Sequence, residues 1–246
     1  MPRRNRRRQA PDRKVRRAQL GERVSRAGNV TLAQGVEEDI VATLGFKPYD
    51  FEVFSVEGFN ERMSQIYEHV RPKLIKLGDE LAPELARKLK MEFFPHVAKH
   101  ARRTVNPPPE TWAAFGPSPR GYKRYGYLAL CISGAGLHAR VVVKSEADRR
   151  GAMAAGLIKN LSELVRAFRG TRLIRYDNWD FHRLPQGLVA DSDLFKELAG
   201  RLQKKTGGID VGFGWNVRES LRLERAELLD AFRELEPLYR VLRAVA

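Results

Sequence analysis

The sequence predicts an α+β fold: one domain with a mainly antiparallel sheet covered by helices, preceded by a basic arm. Three observations carry this. Strand-like and helix-like segments alternate irregularly, without the strict βαβ order of a doubly wound sheet. Gly134-Ala135-Gly136 joins two apolar runs as a compact hairpin connection. The first stretch of chain is arginine-rich and nearly free of apolar residues, so it cannot repay the entropy of ordering and is expected to be disordered. The boundaries expected are an arm over 1–46 and a domain over 47–246.

Taken in order, Thr31 to Leu44 has modest helical spacing and Gly45 to Asp50 reads as its exit. Phe51 to Val56 alternates apolar and polar residues, which predicts a strand. Phe59, Met63, Ile66, Tyr67, Val70, Leu74 and Leu77 recur at helical spacing, with Pro72 expected to kink or divide the run. Asp79 is placed to cap a further helix through Leu89. A helix is expected over Pro95 to Val105, closed by Asn106-Pro107. Thr111–Phe115, Tyr125–Ser133, Leu137–Lys144, Arg172–Tyr176 and Ile209–Asn216 read as strands, the last weakened by Gly212 and Gly214. Asp148–Phe168, Asp191–Lys205 and Glu224–Val245 read as helices. The last carries Leu228, Leu229, Phe232, Leu235, Leu238, Tyr239 and Leu242 on one stripe, interrupted only by Pro237.

The 246 residues are 43% hydrophobic and 30% charged, enough to bury a core. Formal net charge is +15 and is unevenly placed. Residues 1–27 hold eleven Lys/Arg against two acids, a net of +9, which leaves +6 for the rest. Such an arm suits salt-sensitive contact with RNA or DNA phosphates; it is also what a solvated arm, or a start codon placed too far upstream, would look like. Cys131 is the only cysteine, so no intramolecular disulfide or Cys-based zinc site can form. No apolar run has the length of a membrane span, and no apolar segment follows Arg3-Arg4 as an export signal would require. A cytoplasmic protein with no membrane partner and no cofactor is expected; oligomeric state is not legible.

The densest chemistry lies in His96-Val97-Ala98-Lys99-His100-Ala101-Arg102-Arg103, where two histidines, one lysine and two arginines fall within eight residues. On a helix, His96, His100 and Arg103 would share a face, flanked by Lys99 and Arg102. Arginine pairs bidentately with phosphate or carboxylate, and histidine donates or shuttles a proton near neutrality. The bland alternative is a solvated basic helix. His96 and His100 have the spacing of a zinc pair, but Val97 stands where a gluzincin has its Glu, so no metal is expected. Arg120-Gly121-Tyr122-Lys123-Arg124-Tyr125 interleaves cations and aromatics, as nucleic-acid surfaces do, or is an ordinary hairpin loop. Tyr176 to Arg183 offers Asp177, Asp180 and His182, which read as turn formers before they read as ligands. Neither a P-loop nor a Gly-x-Ser-x-Gly elbow is present, and Cys131 reads as an inert core thiol.

Phe94-Pro95-His96-Val97-Ala98-Lys99-His100-Ala101-Arg102-Arg103-Thr104-Val105-Asn106-Pro107-Pro108 resembles the YktB-like family of uncharacterised bacterial proteins. Phe51 to Met63, Arg71-Pro72-Lys73-Leu74, Trp112 to Phe115, Arg120 to Lys123 and Leu235 to Arg240 support the resemblance. It covers about 50–246, most closely up to 123, and leaves out the first 46 residues. It implies a compact α+β domain, and brings no catalytic residues with it.

The function expected is binding of an anionic ligand, either nucleic acid or another phosphate-bearing molecule. The site expected is His96, Lys99, His100, Arg102 and Arg103, extended by Arg120, Lys123 and Arg124. One alternative is a phosphodiesterase- or nuclease-like enzyme with His96 and His100 as acid and base. Another is a protein-interaction module. A carboxylate converging on the histidines would favour the enzyme, and a continuous basic groove would favour binding.

Overall fold

A computed structural model describes residues 43–243; the basic arm and the first helix expected from the sequence lie outside the described residues, except that Thr43 and Leu44 join the domain through an isolated bridge to Glu224. Seven antiparallel strands form one sheet in the order β1-β2-β3-β4-β7-β5-β6. They are β1 (Phe94–Val97), β2 (Glu110–Gly116), β3 (Gly126–Ser133), β4 (Gly136–Val143), β5 (Arg172–Arg175), β6 (Leu188–Val189) and β7 (Ile209–Asn216). The α+β expectation with an antiparallel sheet therefore holds. The hairpin between β3 and β4 turns through Gly134 and Ala135, pairing Ser133 with Gly136.

Alternation divides the sheet into two faces. Phe115, Leu128, Leu130, Leu137, Ala139, Val141 and Val211 point to one face and join the main core with the helices. Those helices include α3 (Arg71–Leu89), α4 (Arg150–Lys159), α5 (Leu161–Ala167), α6 (Ser192–Gln203), α8 (Arg225–Glu234) and α9 (Glu236–Leu242). Asp191 starts α6 as expected, its Oδ1 accepting from the backbone N–H groups of Asp193 and Leu194, each at 3.0 Å. The opposite face carries Trp112, Ala114, Tyr127, Ala129, Cys131, His138, Arg140 and Val142. Tyr122 and the segment from Tyr176 to Leu184 cover it, without helices.

Several expectations are corrected. Phe51–Val56 is not a strand: α1 (Pro48–Glu52) runs into a 3₁₀ turn at Val53–Ser55. Pro48 opens the helix, and the Asp50 carboxylate accepts from the Lys47 N–H at 2.7 Å, so the local start signals override a short alternation that fits either period. Pro72 does not divide its helix. A π-helical turn at Ile66–Val70 links α2 (Phe59–Gln65) to α3, and Pro72 sits in the first turn of α3, where its missing N–H costs little. Asp79 is then a mid-helix residue, not a cap. Pro95–Val105 is not helical: its first residues are the edge strand β1, where proline is tolerated, and a loop follows. Two long helices are each split, at Asn160 between α4 and α5, and at Leu235 between α8 and α9. The short helix α7 (Val217–Ser220) and strand β6 have no counterpart in the sequence reading.

Two glycines place the site's surroundings. A Cβ at Gly78 would lie 3.3 Å from Pro95, so its absence lets α3 lie close on β1. A Cβ at Gly214 would lie 2.5 Å from the Tyr176 hydroxyl, which instead donates to the Phe213 carbonyl at 2.9 Å. The glycine that weakens β7 by propensity makes room for the cover of the second face.

Candidate functional site

The cleft of about 990 Å³ is bounded by the loop leaving β1, by the 117–125 loop between β2 and β3, and by α3. All eight residues singled out from the sequence line it: His96, Lys99, His100, Arg102, Arg103, Arg120, Lys123 and Arg124. They meet because two loops face each other, not because they share a helical face. Sequence reasoning missed Arg71, Asp79 and Trp112 as lining residues, and noticed Tyr122 only within the interleaved run Arg120–Tyr125. Arg71 stood in a stretch already noticed, but only the approach of α3 to β1 reveals its direction.

The first loop is held from both sides. Arg71 Nη1 donates to the Ala98 carbonyl at 2.8 Å, and the Tyr67 hydroxyl donates to the Lys99 carbonyl at 3.0 Å. On the sheet side, the Ala98 N–H donates to the Trp112 carbonyl at 3.0 Å. The chain then turns at His100, whose φ of 49° lies in the left-handed region that His enters more readily than most residues. The Arg103 N–H closes this turn on the His100 carbonyl at 2.9 Å. The second loop is tied to β1 by His96, whose Nε2 lies 2.9 Å from the Ser118 carbonyl; a carbonyl only accepts, so that nitrogen carries the proton.

The histidines play different parts. His100 Nε2 lies 3.0 Å from Thr111 Oγ1, and its ring stands edge-on to Trp112 at 5.4 Å. Burial, with Arg103, Lys123 and Arg71 close by, lowers its pKa from 6.5 to about 4, so it is neutral at pH 7. The cations differ as well. Arg124 is taken by Asp148, with Nη2 at 2.6 Å, and Lys123 faces Glu146 at 3.9 Å. Arg103 Nη1 donates to the Asn106 carbonyl at 3.3 Å. Lys99, Arg102 and Arg120 form no ion pair with a carboxylate among the described residues.

The depressed His100 pKa has a stability consequence. Between about pH 4 and 6.5 the unfolded chain binds this proton and the folded chain does not. Its contribution is therefore complete above pH 6.5 and lost as pH falls toward 4. His138, fully buried and lowered first by burial and then by Arg140, acts in the same direction. Urea denaturation at pH 7 and pH 5 should show lower stability at pH 5, with the difference reduced in His100→Gln. An unchanged difference would show that His100 is not desolvated.

The Tyr176–Arg183 cluster does not line the cleft. Asp177 pairs with Arg175 at 2.8 Å and Arg201 at 2.9 Å, and Asp180 Oδ1 accepts from the His182 N–H at 2.9 Å, as a turn-forming residue does. Among the described residues no three His, Cys, Asp or Glu side chains group as metal ligands. Cys131 is buried, and burial pushes its thiol pKa up, away from reactivity. No described helix is long and apolar enough to cross a membrane.

Residues 46–239 match the family described as a domain of unknown function, DUF1054. A UPF0637 protein of Lysinibacillus sphaericus is 35% identical over 201 residues, spanning 78% of this chain and 93% of that protein. One from Bacillus velezensis is 31% identical over 210 residues, spanning 82% and 98%. One from Bacillus thuringiensis reaches 49% over 89 residues, 36% of this chain and 43% of its own length.

Proposed function

We propose that this chain, which belongs to the DUF1054 family, holds a phosphate-bearing anion in the cleft between the 98–109 and 117–125 loops. One observation carries the reading: cations from two separate loops face a common cleft, and three of them, Lys99, Arg102 and Arg120, have no carboxylate partner among the described residues. Unpaired guanidinium and ammonium groups on these loops are placed to donate to phosphate oxygens, with arginine offering the bidentate geometry. Among the described residues Asp79 is the only acid lining the cleft, against seven Lys/Arg. The acid–base alternative gains little here. His100 at about pKa 4 is almost wholly neutral at pH 7, which makes it a weak base with little imidazolium to act as acid, and the His96 Nε2 proton is already given to a carbonyl.

Calorimetric titration of the full chain with inorganic pyrophosphate tests the reading. Arg102→Ala combined with Arg103→Ala should weaken binding at least tenfold, since each charge-assisted bond is worth about 1.5–3 kcal/mol. Equal affinity in the two proteins would refute it.

A further inference from the structure

The cleft has an aromatic floor between its two basic walls. Trp112 rises from β2 and Tyr122 from the facing loop, and Trp112 Nε1 donates to the Tyr122 hydroxyl at 3.0 Å, fixing the two rings to each other. The His96 ring lies 5.4 Å from Tyr122 and Tyr127 stands edge-on to Tyr122 at 4.7 Å, while His100 stands edge-on to Trp112 at 5.4 Å and Lys144 Nζ lies 5.7 Å from the Trp112 centroid. Trp112 and Tyr122 are only partly buried although both belong to a packed cluster. Lys99, Arg102 and Arg103 stand on one wall, Arg120 and Lys123 on the other. An inorganic oligophosphate would use the walls and make no stacking contact with the rings.

We propose that the ligand is a short run of single-stranded nucleic acid, its phosphates on the two walls and a base against the Trp112–Tyr122 floor. The inference rests on the anion reading of the same cleft and adds the base to it. Cations that track a backbone, with aromatic rings on which bases stack, are the pairing that single-strand binders use, and it tolerates any sequence because every base has a flat face. Bases inside a duplex are stacked on each other and present no free face, so a duplex uses only the walls. The volume of about 990 Å³ stands at the top of the range for small-ligand sites, which suits one or two nucleotides of a longer strand.

The test uses the full chain and varies the ligand first, so that nothing depends on a variant folding. A single-stranded RNA of about ten nucleotides is compared with an abasic strand carrying the same number of phosphates, both titrated at one salt concentration. Any contribution of the basic arm is common to both. The normal strand should bind at least fivefold more tightly and quench tryptophan emission. In Trp112→Phe the quench should disappear, leaving only Trp179 and Trp215 emission, while far-ultraviolet circular dichroism at the titration temperature shows the variant still folded. Equal affinity for the two strands, or a quench that survives in Trp112→Phe, would overturn the proposal. If the abasic strand binds as well as the normal one, and Arg102→Ala with Arg103→Ala weakens both, the base has been ruled out and the anion site stands. If that double variant leaves pyrophosphate affinity unchanged, the anion reading itself has failed.

Discussion

Arg140→Ala is expected to cost about 3–5 kcal/mol, the usual penalty for breaking a buried ion pair by removing one partner. Arg140 is 1% exposed, near the middle of the sheet's second face. Its Nη2 lies 2.8 Å from Glu110 and its Nη1 3.5 Å from Asp210, while its guanidinium stacks 3.8 Å from the centroid of the Tyr176 ring. The Glu110 contact is off the hydrogen-bonding line, so it acts as a pair of charges more than as an aligned bond. Truncation leaves two largely buried carboxylates with Lys144 alone, 3.9 Å from Asp210. Burial raises the Glu110 pKa, and Arg140 is the first influence pulling it back. Without Arg140 the folded-state pKa of Glu110 rises further above its unfolded value. Stability of the variant then falls as pH rises through that higher folded-state pKa, because the folded chain binds the extra proton. Urea denaturation should therefore show a larger penalty at pH 8 than at pH 5. A penalty under about 1 kcal/mol at pH 8 would mean that water reaches the network.

Arg140 also shows where sequence reading stops. β4 (Gly136–Val143) was legible as a strand over Leu137–Lys144, and alternation puts His138 and Arg140 on the face opposite Leu137, Ala139 and Val141. Alternation alone predicts that such a face meets water. What covers it is the Tyr176–Leu184 segment, more than thirty residues later, and no local pattern announces that return. Strands β2, β3, β4, β5 and β7 were readable because apolar residues run or alternate between turn residues, and α6 was expected over Asp191–Lys205, close to its Ser192–Gln203 span. Phe51–Val56 was misread because six residues satisfy both periods; Pro48, one position inside the helix start, was the deciding signal. The eight candidate residues have a different history. Their charge marked them in the sequence, and they do line one cleft. For His96, His100 and Arg103 the reason expected, a shared helical face, was wrong: an edge strand and a left-handed turn at His100 place them, and a facing loop brings Arg120, Lys123 and Arg124 to the same cleft. Nothing in the spacing of Trp112, on the far side of a proline-rich loop, placed it between the two walls.

Phe232→Ala is expected to cost about 3–5 kcal/mol, the range for emptying a buried phenylalanine site. Phe232 is fully buried on α8, with Leu228 and Leu235 beside it on the same stripe. Its ring meets Phe115 of β2 edge-on, with centroids 5.8 Å apart and planes at 72°. The stripe continues through Leu238, Tyr239 and Leu242 on α9, although the helix breaks between them. Pro237 lies in the first turn of α9, where its lost N–H is no loss, so the break turns the chain without uncovering the core. Removing the ring leaves a cavity between helix and sheet that rigid strands cannot close. Urea denaturation of the full chain at pH 7 measures the cost, and a loss below about 0.5 kcal/mol, typical of exposed positions, would contradict the burial. The same variant separates core from cleft. Phe115 points to the helices, whereas Trp112, three residues earlier on the same strand, points to the cleft on the other face. Below its own unfolding transition, Phe232→Ala should bind pyrophosphate as the parent chain does. A loss of affinity in protein that is still folded would mean that β2 transmits strain from the core into the cleft floor.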